Sequence, residues 1–155
     1  MSFYSIPHFI STTLAVLLAS GVNADSRETI PGPVPAHVVR VVDGDTVVVD
    51  AHPWPDQSVR VSVRLRGIDT PELRSKCPLF RAAALKARGT LADMISPGDT
   101  VELRNVSGGK YYGRVVADLS RGDRDMGSML IEAGLAVRYD GGKRARPACP
   151  GRQDL

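Results

Sequence analysis

The sequence predicts a small α+β domain that is mainly β, a closed barrel carrying two helices. Three observations predict it. Short β-branched runs are broken by turn residues, one stretch alternates strictly between apolar and polar, and two segments repeat their apolar residues at helical spacing. At 155 residues the chain has room for one domain and not for two ordinary ones.

The chain opens with 24 residues that contain no Lys, Arg, Asp or Glu. An apolar run from Leu14 to Ala19 is followed by Val22-Asn23-Ala24, which puts small residues where a signal peptidase reads. Residues 1–24 are therefore expected to be a signal peptide, with Asp25 as the first mature residue. The run is too short to remain as a bilayer span, although an uncleaved interfacial anchor stays open. Residues 25–36, with Pro31, Pro33 and Pro35, read as a flexible lead-in to a domain over 37–140.

Within that domain Val38–Val42 is a β-branched strand, Asp43-Gly44-Asp45-Thr46 interrupts it, and Val47–Val49 resumes it. Pro53 and Pro55 mark a loop. Val59, Val61, Val63 and Leu65 then alternate with Arg60, Ser62, Arg64 and Arg66, giving one core face and one basic face. Over 79–95 the period changes: Phe80, Ala84, Ala87, Leu91 and Met94 form one helical stripe, opened by Pro78 and closed by Pro97-Gly98. Strands are expected over Thr100–Val106 and Tyr111–Leu119. A second helix is expected over Met126–Ala133, capped by Asp123 or Asp125 and ended by Gly134. The count, order and size fit a five-stranded Greek-key barrel of the OB type plus two helices. Residues 141–155, rich in Gly, Pro and Arg, read as an irregular tail.

Composition is that of a soluble globular protein, 43% hydrophobic and 24% charged. A net charge of +3 and a pI near 9.1 are compatible with phosphate polyanions as partners, and with much else. Cys77 and Cys149 fit one disulfide in an oxidising compartment, tethering the tail; two free thiols are the alternative. They do not make a zinc site, since His37 and His52 have no ligand spacing and read as strand-edge or loop residues.

Three clusters could carry chemistry: Asp43-Gly44-Asp45-Thr46, Arg64 through Glu72 with Asp69-Thr70-Pro71, and Tyr112-Gly113-Arg114. Singly, each is explained by a turn, a solvated strand face or an extended Thr-Pro exit. Together they supply what phosphodiester hydrolysis needs: oxygen ligands for a hard cation, a water activator, and guanidiniums for the phosphorane. Asp45 and Asp69 could share one Ca²⁺, Glu72 could polarise a water, and Arg64 and Arg114 could grip the phosphate bidentately.

In order, spacing and identity these clusters resemble the staphylococcal nuclease (thermonuclease) family, over about Val38 to Tyr139. The resemblance implies an OB barrel, with Asp45, Asp69 and the Thr70 carbonyl as Ca²⁺ ligands and Asp43 outside them. It makes Glu72 the residue that activates or orients water, and Arg64 and Arg114 the pair that stabilises the transition state. It implies DNA and RNA as substrates, cut with little sequence specificity to 3′-phosphate and 5′-hydroxyl ends. A periplasmic or secreted monomer with no stable membrane insertion after processing is expected. The chain departs from the family in three places. The segment after Glu72 is short and lacks most of a lysine-bearing loop, Lys110 stands where an Asp is common, and the tail replaces a third helix. Tyr112 is open between a nucleotide contact and a core or rim position. Two other functions stay open: a catalytically weak or inactive OB-fold module that binds nucleic acid, and an envelope or conjugation-associated docking protein.

Overall fold

The computed structural model describes residues 28–142, 144 and 148–150. The expected signal peptide lies outside them. Runs of β-branched residues with alternating burial fold into nine strands, and two helices interrupt them. They are β1 (Thr29–Ile30), β2 (Val34–Asp43), β3 (Thr46–Ala51), β4 (Val59–Leu65), β5 (Ile68–Asp69), α1 (Pro78–Met94), β6 (Thr100–Gly108), β7 (Arg114–Arg121), β8 (Arg124–Asp125), α2 (Met126–Glu132) and β9 (Val137–Arg138).

β2, β3 and β4 form an antiparallel meander, and β4 then pairs in parallel with β7. β7 pairs with β6, and β6 returns to β2, which closes a five-stranded barrel. The parallel β4–β7 step makes the order Greek-key, because the chain must leave the sheet between them; α1 and β6 lie in that excursion. Val47, Val49, Val63, Leu65, Leu103 and Leu119 fill the interior. Alternation in β4 thus buries Val63 and Leu65 and turns Arg64 to the outer face.

α1 buries Ala84, Ala87 and Leu91 against the barrel, the middle of the expected stripe, while Phe80 and Met94 are only partly covered. Pro78 occupies its first turn, where a missing N–H costs nothing. The cap of α2 is Asp125, whose side chain accepts the Ser128 N–H at 2.7 Å. Gly134 follows at φ +67, the left-handed turn that ends the helix.

Two expectations need correction, and one small ribbon lay outside them. The lead-in is not irregular throughout: β1 pairs with the end of β6, and β2 begins at Val34. Val34 and Ala36 are buried while Pro35 faces out, so the alternation that drives the strand runs through the prolines. The last long strand begins at Arg114 rather than Tyr111. There the Arg114 carbonyl accepts the Gly109 N–H at 2.9 Å, and Gly113 takes φ +75, so 109–113 is a turn. The β5–β9 ribbon was not foreseen, since two-residue strands leave no period to read.

Cys77, just before α1, is bonded to Cys149 of the tail. The bond closes a loop of 72 residues, and loop-closure entropy of that size is worth about 4 kcal/mol at most. Cys77→Ser and Cys149→Ser should therefore lower the melting temperature by similar amounts in thermal denaturation, with the double variant no worse than either.

Candidate active site

The Asp43–Thr46 turn joins β2 to β3 and is held from both sides. Asp43 Oδ1 accepts the Asp45 N–H at 3.2 Å, and the Asp45 carbonyl accepts the Leu65 N–H at 2.8 Å. The Thr46 hydroxyl donates to Asp45 Oδ1 at 2.9 Å. Gly44 is required by approach: a Cβ there would fall 2.7 Å from the Ala87 Cβ and 2.9 Å from the Thr70 Oγ1. The turn is thereby pressed onto α1 and onto Thr70, which is itself buried. Burial, followed by the neighbouring Asp45 charge, raises the Asp43 carboxyl above the usual aspartate range.

Arg64 stands opposite Thr46 in the β3–β4 ladder. Its Nη1 donates to Asp45 Oδ2 at 2.6 Å, and its Nη2 donates to Asp69 Oδ1 at 2.9 Å and to the Ile68 carbonyl at 3.2 Å. One fork therefore draws together two carboxylates that lie 24 positions apart in the chain. All three side chains are largely out of solvent, at 5% exposure for Asp45, 15% for Arg64 and 18% for Asp69. Asp69 ends β5 and is fixed there by its pairing with Val137 of β9.

Arg114 opens β7 beside Ser62, and Val116 lies beside Arg64. Paired residues share a face, so Arg114 and Arg64 lie on one face, one side-chain step apart. Among the described residues the Arg114 guanidinium has no hydrogen bond or ion pair. Tyr112, in the turn before it, is fully exposed and is a rim residue rather than a core one. The other arginines of the predicted basic face serve the sheet. Arg60 makes a bidentate pair with Asp50, at 2.8 Å for each bond, and Arg66 donates to the Val116 carbonyl and the Ser107 hydroxyl.

Glu72 lies in the loop after β5, where its carbonyl accepts the Ser75 N–H at 3.0 Å. With Asp69, Thr70 and Phe80 it lines a cleft of about 820 Å³. Arg144 lines the same cleft, and sequence reasoning missed it. Its Nη2 is 3.2 Å from Asp69 Oδ1, and its Nη1 donates to Glu72 Oε1. The signal that could have found it is the Cys77–Cys149 pairing, which brings a basic tail back to the loop after Glu72.

The structure thus brings Asp45, Asp69, Arg64, Glu72 and Thr70 to one edge of the barrel, with Arg114 on the adjoining strand. Among the described residues, no group of three or more His, Cys, Asp or Glu side chains is gathered closely enough to hold an ion. Asp45 and Asp69 offer hard carboxylate oxygens that converge on the Arg64 fork. With main-chain oxygen and water, that donor set fits a hydrated hard cation rather than zinc.

Fold and site together define an OB-type barrel with an arginine-bridged carboxylate pair beside an open cleft. The model of the staphylococcal nuclease homologue family matches residues 62–149, more than half of the chain, and the chain belongs to that family. The matched range includes Arg64, Asp69, Glu72, Arg114 and both cysteines, and begins after the Asp43–Thr46 turn. A search of curated proteins found no match.

Two substitutions test this geometry. Gly44→Ala should destabilise the fold by about 1–3 kcal/mol in denaturant unfolding, because Ala87 and Thr70 have to move. Arg64→Met should cost about 3 kcal/mol or more, because it leaves Asp45 buried without its partner.

Proposed function

We propose that this chain is a calcium-dependent endonuclease that hydrolyses phosphodiester bonds of DNA and RNA with little sequence specificity. The observation that carries the reading is the Arg64 fork set between Asp45 and Asp69, the second of which lines the same cleft as Glu72. Family membership supports the nuclease class. In this reading Asp45, Asp69 and the Thr70 carbonyl hold Ca²⁺, which when bound supplies Lewis-acid polarisation of a phosphate oxygen and a site for water.

The remaining work falls to side chains. Glu72 accepts a proton from the attacking water as its oxygen bonds to phosphorus, the P–O5′ bond breaks in line, and the 5′ oxygen leaves as a hydroxyl by taking a proton from solvent water. The 3′ oxygen keeps the phosphate. Arg114, at the start of β7, and Arg64, one step away on the same face, neutralise the charge gathering on the non-bridging oxygens. Exposed Tyr112 stands beside this path and can meet a base.

The Cys77–Cys149 bond supports a periplasmic or secreted setting, since such bonds persist in oxidising compartments. Among the described residues no helix is long and apolar enough to cross a membrane. Residues 1–24 act as the export signal in this reading, 37–140 as the nuclease domain and 141–155 as its tethered tail. Amino-terminal sequencing of envelope-fraction protein should return Asp25, and an intact Met1 would contradict the export reading. A monomer is proposed; light scattering that returned a dimer mass would overturn it.

Chelation should abolish cleavage and Ca²⁺ should restore it, with Mg²⁺ serving less well because it holds its waters in a tighter shell. Glu72→Gln should slow turnover by about 10²-fold or more while substrate binding is kept. Cleavage undiminished in excess chelator, or products ending in 5′-phosphate, would remove the assignment.

A further inference from the structure

Arg144 has no evident structural duty. The tail is already fastened by Cys149, and among the described residues the Arg144 side chain pairs with Asp69 and Glu72 and lies over the face of Tyr139, with Cζ 5.9 Å from the ring centroid. The backbone route that delivers it is well defined at both ends. Tyr139 is anchored by its N–H to the Gly67 carbonyl at 2.9 Å, and its hydroxyl donates to the Gly142 carbonyl at 2.7 Å. Cys149 is anchored to Cys77 beside the Glu72 loop. Partial burial opposes the charge of Arg144, but Asp69, Glu72 and Asp45 outweigh that and hold the guanidinium above its ordinary pKa.

We infer that Arg144 is a substrate-phosphate ligand, a third guanidinium brought to the cleft by the Cys77–Cys149 bond. The inference rests on the nuclease reading above. Arg64 and Arg144 together touch three carboxylates, Asp45, Asp69 and Glu72. Three negative charges against two positive leave this cluster net negative, and a phosphodiester is itself an anion. A bound divalent cation makes the cluster positive when Arg144 is present, and only neutral when it is removed. Arg144 therefore adds one positive charge to the carboxylate cluster where the substrate approaches.

Accessibility agrees with this role. The Arg144 side chain is 33% exposed and lines the open cleft, and its Glu72 partner is 67% exposed, so this contact exchanges readily with an incoming oxyanion. Arg64 is more deeply set, at 15%. Transfer of the Arg144 fork from Glu72 to a phosphate also frees the Glu72 oxygen for the attacking water.

The test uses the processed chain with Ca²⁺ and a fluorescent single-stranded oligonucleotide whose 5′-bridging oxygens are replaced by methylene. The charge is kept and the bonds cannot be cut. Arg144→Gln should weaken binding about ten-fold in fluorescence anisotropy, and the slope of log affinity against log salt should flatten by about 0.7, the share of one phosphate contact on a single strand. Arg144→Lys should recover the salt slope and only part of the affinity. Wild type treated with thiol reductant should weaken like Arg144→Gln, and reducing Arg144→Gln itself should add little. Binding by Arg144→Gln that equals or exceeds wild type, while wild type still cleaves unmodified DNA, would overturn the inference and leave the nuclease reading standing. A wild type that neither binds this probe nor cleaves DNA would overturn both.

Discussion

Two like-charged carboxylates brought together at the edge of a barrel repel each other, and leaving either one buried without a partner costs several kcal/mol. In this chain the cation between them is the Arg64 guanidinium, with Asp45 on one nitrogen and Asp69 on the other. Much of the surrounding architecture serves that contact. The parallel β4–β7 ladder and the antiparallel β3–β4 ladder fix Arg64 on the outer face. The Asp43 side chain and the Leu65 N–H fix the turn that carries Asp45, and β9 fixes Asp69. In the nuclease reading proposed above, the side chain that gathers the carboxylates is also one that meets the phosphate, so structural and catalytic demands would fall on one residue.

The glycine of the Asp-Gly-Asp turn shows how tightly fold and site are coupled. Gly44 is not needed for an unusual backbone angle; it is needed because a Cβ there would run into Ala87 of α1 and Thr70. Helix, turn and the Asp69–Thr70 segment are thus packed as one unit. A change on the buried face of α1 would be felt through this packing at the turn that carries Asp45 and at Thr70 beside Asp69.

Long periodic elements were legible in the sequence. α1, expected over 79–95, spans Pro78–Met94, and α2 starts at Met126 with the Asp125 cap. The β4 alternation placed Arg64 outward and Leu65 inward. What the sequence hid is what has no period. β5 and β9 are two residues each, and their pairing is set by tertiary contact; the turn before Arg114 is shaped by Gly113 and overrides the strand propensity of Tyr111 and Tyr112. Among the site residues, the motif members were visible because chemistry constrains their identity and spacing. Arg144 was not, because its place depends on a disulfide between distant cysteines rather than on any local pattern.

The chain's place in the staphylococcal nuclease homologue family and the geometry at the barrel edge lead to one claim, that the arginine-bridged carboxylate pair is a phosphodiester-cleaving centre. The most direct measurement of it is incubation of the processed chain with circular single-stranded DNA, with and without Ca²⁺. Linear products that appear only with Ca²⁺ are the predicted result. Circles that stay intact at saturating Ca²⁺, while the protein is folded and its Cys77–Cys149 bond is formed, would contradict the account.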